Sequence, residues 1–438
     1  METAIKLLIL GISTVVAYDI AQSVRSFGYT FDKFEVTTED GYILEIHRIS
    51  ESPNGITTDK RPPVLIMHGL LGCSADFIHI GPGKSLPLRL ADEGYDVWLG
   101  NNRGNTYSQK HSSNTIKNAS FWDFSFHEIG LRDTPAVIDF ILDKTGEDTL
   151  SYVAHSTGVA QLLITTVMKP EYQKKVKIVA ALAPVVYLDH APSLLLQIVN
   201  KDNYAVILAA EEAAKATVIL DHNSLIWDVG LGLICGNGMK TQELCADLLF
   251  ILTGFDTDEL DRSDITKFFS SFPAGISVKE LNHILQWKLN GLFSQYDYGM
   301  IKNEEIYKSI KPPIYDLRNV TVPVALFYGK NDLISTYADI QHLANDLPKI
   351  VESHMIEYDR FNHIDFLLAK DVDSLLNLHV INTLNVYNDK DNITTATTAP
   401  SAKSTTQVPP TTKASSTNIV PVGVAVLGSI YLCIKMIL

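Results

Sequence analysis

A chain of 438 residues accommodates one large domain carrying an insertion, or two domains of ordinary size. Its hydrophobic fraction of 46% supports a real core and argues against disorder along most of its length. A formal charge of −14 at pH 7 and a sequence pI near 5.4 argue against a nucleic-acid partner, because phosphate binding needs a basic face.

The first segment, "METAIKLLILGISTVVA", carries an apolar run from Ile5 to Val16 closed by the small residue Ala17. It is too short to span a bilayer comfortably and reads as a secretory signal over residues 1–17. The chain then alternates two kinds of segment. "PPVLIMHG", "YDVWLGN", "LSYVAHS", "KIVAALAP" and "VPVALFYG" are short apolar runs ending in polar or glycine-rich turns, the pattern of parallel strands buried on both faces. Helical patterns such as "LRDTPAVIDFILDKT" and "GVAQLLITTVMKP" lie between them, so an α/β fold with a mostly parallel sheet is predicted.

Between Tyr187 and Val322 the chain spends about 135 residues where a strand–helix–strand unit needs roughly 30. The excess predicts an inserted helical cap over the carboxyl edge of the sheet, greasy on its inner face. It contains "PSLLLQIVN", "YAVILAAEEAAKATVIL", "IWDVGLGLI" and "CADLLFILTGF". The expected organisation is therefore a first core part over 18–187, a cap or lid over 188–308 and a second core part over 309–388. A Ser/Thr/Pro-rich stalk follows over 389–418, too poor in large apolar residues to bury a core. An apolar tail over 419–438 ends the sequence. The small residues Ala414, Ser415 and Ser416 before that tail suit a glycosylphosphatidylinositol (GPI) attachment signal, with a transmembrane anchor as the alternative.

Secretion gives meaning to the cysteines and sequons. Cys235 and Cys245 lie close together around two glycines, and an oxidising compartment favours a local disulfide between them. Cys73 is left unpaired and reads as a small apolar filler. Asn118, Asn319 and Asn392 each open an N-x-S/T sequon and are candidate glycan sites.

"AHSTG" departs from the nucleophile elbow G-x-S-x-G at Ala154, yet Ser156 follows a strand and opens a helix, as the elbow requires. One extra methyl at that strand–helix crossing costs about 1–3 kcal/mol where nothing adjusts, a tolerable penalty. A serine nucleophile needs a base, and the base needs an orienting carboxylate. Asp332 sits in the loop after strand "VPVALFYG", and His363 follows a further predicted strand, "SHMIEY". Asp339 and Asp365 are rival carboxylates, but neither ends a predicted strand. "MHGLLG" then offers the Leu70 backbone N–H, and the residue after the serine the Thr157 N–H, as a pair of oxyanion donors. His68 and His155 flank the site and suit packing or hydrogen bonding better than proton transfer. This chemistry calls for no metal and no organic cofactor.

With those residues in place, the chain resembles the acid lipase family, which includes gastric and lysosomal acid lipases. The resemblance is carried in order by "FEVTTEDGYILEIHRI", "HGLLG", "GNNRGNTYSQKH", "FWDFSFHEIGLRDTPAVIDFI", "TGFD", "FPAGISVKELNHILQ", "QYDYG", "GKNDLIS" and "FNHIDF", from Tyr29 to Asn388. It implies an α/β-hydrolase core, a lidded cap and hydrolysis of neutral lipid esters presented by an aggregate or membrane surface. It places nucleophile, acid and base on Ser156, Asp332 and His363, the oxyanion donors on Leu70 and Thr157, and the disulfide on Cys235 and Cys245. Departures are Ala154 in the elbow, Thr157 where such lipases carry glutamine, a loosely similar segment from Leu188 to Leu231, and the added stalk and tail. Triglyceride, steryl ester and smaller esters stay open as substrates, and so do oligomeric state and lysosomal delivery. The alternatives are acyl transfer to an alcohol and a non-catalytic lipid-binding or adhesion module.

Overall fold

The computed structural model describes residues 18–54, 61–220, 235 and 241–389. The expected signal over 1–17, the stretch "IWDVGLGLI", the stalk, the tail, Asn392 and the attachment candidates Ala414, Ser415 and Ser416 lie outside the described residues.

The central sheet is built from β1 (Asp32–Thr37), β2 (Tyr42–Ile49), β3 (Pro63–Met67), β4 (Asp96–Leu99), the short β5 (Lys110–His111), β6 (Leu150–His155), β7 (Val176–Leu182), β10 (Val324–Tyr328) and β11 (Ile350–Met355). Its order is β1-β2-β4-β3-β6-β7-β10-β11, with β5 on β2. The pairings among β4, β3, β6, β7, β10 and β11 are parallel, while β2 runs antiparallel to β1, β4 and β5. Every residue of β3, β4, β6 and β10 is buried, which explains why these strands read as unbroken apolar runs. Edge strand β11 instead alternates half-buried and exposed positions. The antiparallel front pair is an addition to the parallel core read from the sequence.

Helices cover both faces. On one, α3 (Thr134–Thr145) and α4 (Thr157–Met168) pack with Leu65 and Met67 of β3. On the other, α1 (Ile20–Ser26), α2 (Leu86–Asp92) and α11 (Leu378–Asp389) pack with Val64 and Ile66. Successive residues of one strand thus feed opposite cores, as the two-residue strand period requires.

The excursion between β7 and β10 holds α5 (Lys201–Ala214), α6 (Gln242–Thr253), α7 (Arg262–Phe269), α8 (Val278–Asn290) and α9 (Met300–Tyr307). It also contains a two-stranded antiparallel ribbon, β8 (Val218–Ile219) with β9 (Ile276–Ser277), so the cap is not purely helical. Strands of two residues are too short to leave a periodic signal. α8 starts where the Ser277 hydroxyl accepts from Glu280 N (2.9 Å) and stops at Gly291, whose φ of 64° suits a residue without a side chain. Cys235 and Cys245 are disulfide-bonded with Cα atoms 5.8 Å apart, and Cys73 is free and buried. α10 (Tyr337–Asp346) then connects β10 to β11. Among the described residues, no helix is long and apolar enough to cross a membrane.

Buried titratable groups push stability in opposite directions. Burial lowers the pKa of His79 to about 3 and of His283 to about 3. It raises that of Asp76 to about 7 and of Glu280 to about 8. As pH falls below the ordinary histidine range, the unfolded chain takes up protons that the folded imidazoles refuse, and stability declines. As pH rises above the ordinary carboxylate range, the unfolded chain loses protons that the folded carboxyls keep, and stability also declines. Between these ranges the two slopes oppose each other. Glu280→Gln removes one slope, so its stability gain over the unmodified chain should grow from pH 4.5 to pH 7. Urea unfolding at both values checks this; an equal difference at both means that Glu280 titrates normally.

Candidate active site

Four sheet strands deliver the site. β6 ends at His155, and Ser156 makes the turn into α4 with φ 57° and ψ −127°. For a residue with a side chain this backbone is strained, at a cost of order 1–3 kcal/mol. Hydrogen bonds on either side hold it: Ser156 N donates to Leu182 O (2.9 Å), and Val185 N donates to Ser156 O (3.2 Å). A Cβ on Gly158 would lie 2.7 Å from His68 O and 2.9 Å from Met67 O, whereas the nearest atom of Ala154 would be 3.2 Å away. The glycine after the serine therefore carries the tight crossing with β3, and alanine fits at the position before it.

The loop after β10 brings Asp332 to the same place, and the loop after β11 brings His363. His363 Nδ1 is 2.8 Å from Asp332 Oδ2, and its Nε2 is 3.0 Å from Ser156 Oγ. A carboxylate acceptor fixes the proton on Nδ1 and leaves the Nε2 lone pair to receive the serine O–H. Asp332 Oδ1 is held by Ile334 N and Ser335 N, both at 2.8 Å. The three side chains are buried. The rival carboxylates are engaged elsewhere. Asp339 pairs with His190 (2.9 Å), and Asp365 accepts from Asn362 N (2.7 Å).

The histidines read as structural hold hydrogen-bonding positions. His155 Nε2 lies 3.0 Å from the His363 carbonyl, so it donates there, and burial with the nearby His363 holds its pKa well below the ordinary range. His68 bonds Gly69 O in the loop after β3 and the Asn102–Asn105 turn. Leu70 follows β3 on that loop, whose Gly69 leaves no room for a side chain: a Cβ there would sit 2.7 Å from Ser156 Cβ. Thr157 is the first residue of α4, so its N–H is one that the helix itself cannot satisfy. Its side-chain hydroxyl is buried with no partner among the described residues.

One contributor was not legible beforehand. The Thr253 carbonyl at the end of α6 accepts from both Leu333 N (3.1 Å) and His363 N (3.3 Å), tying the loops that carry Asp332 and His363 to the β7–β10 insertion. Gly254 makes this approach possible with φ 125°; a Cβ there would meet Asn331 O at 2.1 Å. The stretch "TGFD" was the available signal, but nothing in its composition indicates a backbone carbonyl as the shared acceptor. Outside this centre, Asn118 and Asn319 are exposed, as glycan sites require.

A sheet of this order with a serine, a histidine and a carboxylate at its strand ends defines the α/β-hydrolase class, and comparisons agree. Residues 20–81 match the partial alpha/beta-hydrolase lipase region, and residues 62–225 match the alpha/beta hydrolase fold. Lipase 3 of Drosophila melanogaster is 34% identical over 392 residues, covering 87% of this chain and 98% of that protein. Human gastric triacylglycerol lipase is 36% identical over 364 residues, covering 82% of this chain and 89% of that protein. The crystal structure of a putative lipase from Sulfolobus solfataricus matches in fold with a TM-score of 0.53 at 16% identity, covering 82% of this chain and 94% of that one. The chain is a carboxylic ester hydrolase with a lipase-type α/β-hydrolase fold. It belongs to the acid lipase family.

The elbow geometry separates its two small residues. Gly158→Ala forces a Cβ against two backbone carbonyls and should destabilise by about 1–3 kcal/mol while lowering ester turnover. Ala154→Gly should leave turnover near that of the unmodified chain. Parallel unfolding and rate measurements on both variants check this, and equal effects at the two positions would contradict the packing described.

Proposed function

We propose that this lipase hydrolyses carboxylic esters of neutral lipids, triglyceride or steryl ester, through an acyl-enzyme on Ser156. The observation that supports the reading best is the aligned run Ser156 Oγ–His363 Nε2 and His363 Nδ1–Asp332 Oδ2, at 3.0 and 2.8 Å. In this reading His363 takes the serine proton as Oγ attacks the ester carbonyl, and then passes it to the departing alkoxide. Asp332 keeps the imidazole in the reactive tautomer and supports its positive charge. The backbone N–H groups of Leu70 and Thr157 receive the developing oxyanion. Water activated by His363 then releases the fatty acid. The apolar insertion between β7 and β10 would shield the acyl chain and gate its path from a lipid aggregate.

Ser156→Ala should abolish turnover of a panel of emulsified triglyceride, steryl ester and short soluble esters across pH 4 to 9, with the fold intact. Asp332→Asn should lower kcat by roughly 10⁴-fold through the wrong tautomer. Retained activity in Ser156→Ala sinks the mechanism. Transfer of the acyl group to an added sterol in place of water would assign acyl transfer instead.

The terminal segments support a second proposal, that the chain is secreted and held at the cell surface by a GPI anchor attached at Ala414, Ser415 or Ser416. The stalk upstream would keep the catalytic domain clear of the bilayer. Phosphatidylinositol-specific phospholipase C should release active enzyme from expressing cells. A retained chain still carrying Cys433 would establish a transmembrane anchor instead.

A further inference from the structure

We infer that His68 is a positioning residue that sets the direction of the Leu70 N–H in the oxyanion hole, and that a buried hydrogen-bond chain reaching back to His47 holds it in place. The inference rests on the ester-hydrolase mechanism proposed above. The Gly69 carbonyl and the Leu70 N–H belong to one peptide plane, and in a trans peptide they point in opposite directions. His68 Nδ1 lies 2.8 Å from Gly69 O. Its Nε2 lies 3.2 Å from the backbone N of Asn102 and 3.2 Å from Asn105 Nδ2. A backbone N–H can only donate, so Nε2 carries the lone pair and the proton sits on Nδ1, where it is donated to Gly69. The imidazole thus grips this peptide from the side facing away from the Leu70 N–H. On the other flank the Gly69 Cα abuts Ser156. The peptide is held between the nucleophile and the imidazole.

The imidazole is itself fixed from behind. Asn105 Nδ2 also donates to Asn101 Oδ1 (2.9 Å), while Asn105 Oδ1 accepts from Tyr107 N (3.1 Å), which settles which way the amide faces. Asn101 Oδ1 accepts from Ser74 N (3.0 Å), and Asn101 Nδ2 donates to Ser74 Oγ (3.1 Å). Ser74 Oγ lies 2.8 Å from His47 Nδ1, and His47 Nε2 lies 2.9 Å from Glu45. His47, His68, Ser74, Asn101, Asn102 and Asn105 are all at most 4% exposed. Burying polar groups is costly unless they are paired, and the bonds named here pair the network and fix its geometry, the buried Asn102 Oδ1 being without a partner among the described residues. Burial also lowers the pKa of His68 to about 4, which keeps Nε2 an acceptor in mildly acidic surroundings. The stretch "GNNRGNTYSQKH", which supplies no reacting group, supplies this support.

The test compares kcat and KM for a soluble p-nitrophenyl ester, with thermal unfolding midpoints, in the unmodified chain, Ser156→Ala, His68→Asn, His68→Gln and Asn105→Ala. Asparagine keeps a donor near the Nδ1 position and loses the Nε2 acceptor; glutamine does the reverse. His68→Gln should lower kcat by roughly 10²-fold, the scale of one oxyanion donor, with KM changed by less than about twofold. His68→Asn should recover about tenfold of that loss. Asn105→Ala should lower kcat less, again without a change in KM. A normal kcat in His68→Gln beside an inactive Ser156→Ala overturns the inference alone, as do equal losses in His68→Asn and His68→Gln, or losses confined to KM. Should His68→Gln not fold, a normal kcat in folded Asn105→Ala overturns it. Activity retained in Ser156→Ala overturns the mechanism and this inference together.

Discussion

The site depends on one close crossing, where the end of β3 passes over the start of α4 while Ser156 occupies a left-handed backbone conformation. Two separate segments come so near that Gly69 and Gly158 have backbone or Ser156 atoms where a Cβ would be. Close packing leaves no slack for a methyl group pressed against a carbonyl, so these positions are set by sterics before any chemistry is considered. The strain of the serine is sustained by the sheet: its N–H and C=O are bonded to Leu182 and Val185, which end and follow β7. Relaxing the turn would require breaking bonds to the buried end of β7 and to the residues that follow it. The hydroxyl consequently faces His363 without help from its own side-chain preferences.

The loop carrying Leu70 lies at the same crossing. Its inner side meets Ser156 at Gly69 and its outer side meets His68, while Leu70 and Leu71 stay partly exposed. Arg103, between Asn102 and Asn105 in the polar network, is anchored separately to Asp133 (2.8 Å) and Asp40 (2.7 Å) and stacks over Tyr42 with its guanidinium 3.9 Å from the ring centroid. Burial works against its charge, but the Asp133 and Asp40 carboxylates outweigh it and keep this arginine protonated. A buried cation paired on two sides resists displacement, because moving the guanidinium away would leave the buried Asp133 carboxyl without its partner. The turn that supports His68 is thereby nailed to α3 and to the β1–β2 hairpin.

Much of this was legible in the sequence where one physical rule dominates. Strands buried on both faces show as apolar runs, and catalytic groups collect at the carboxyl ends of such strands, which directed attention to Ser156, Asp332 and His363. The defect at Ala154 was readable as tolerable because the cost of a methyl is bounded. The antiparallel front strands were less distinct, since β1 is mostly exposed and only Val36 of it is buried. The β8–β9 ribbon was invisible because two residues carry no period. Thr253 escaped notice for another reason: its contribution is a backbone carbonyl, and residue identity says nothing about where a carbonyl points. Asn101, Asn105 and Ser74 were visible as residues but not as a network, because the bonds that join them to Ser74, His47 and His68 span 27 or more positions.

The Thr253 carbonyl changes how the cap should be understood. A lid that only covered the acyl chain could move without disturbing the reacting groups. Here the end of α6 bonds the backbone beside Asp332 and the backbone of His363 itself, and Asn362 returns a side-chain bond to Gly254 O (2.9 Å). Asn331 adds another to Phe255 O (3.0 Å). These contacts hold the carboxyl end of α6 against the loops carrying acid and base. In the mechanism proposed above, a motion of the insertion that included residues Thr253–Phe255 would shift His363 relative to Ser156. In that mechanism, a motion that spared this junction would leave the imidazole aligned, so substrate admission and proton transfer would fall on separate parts of one insertion.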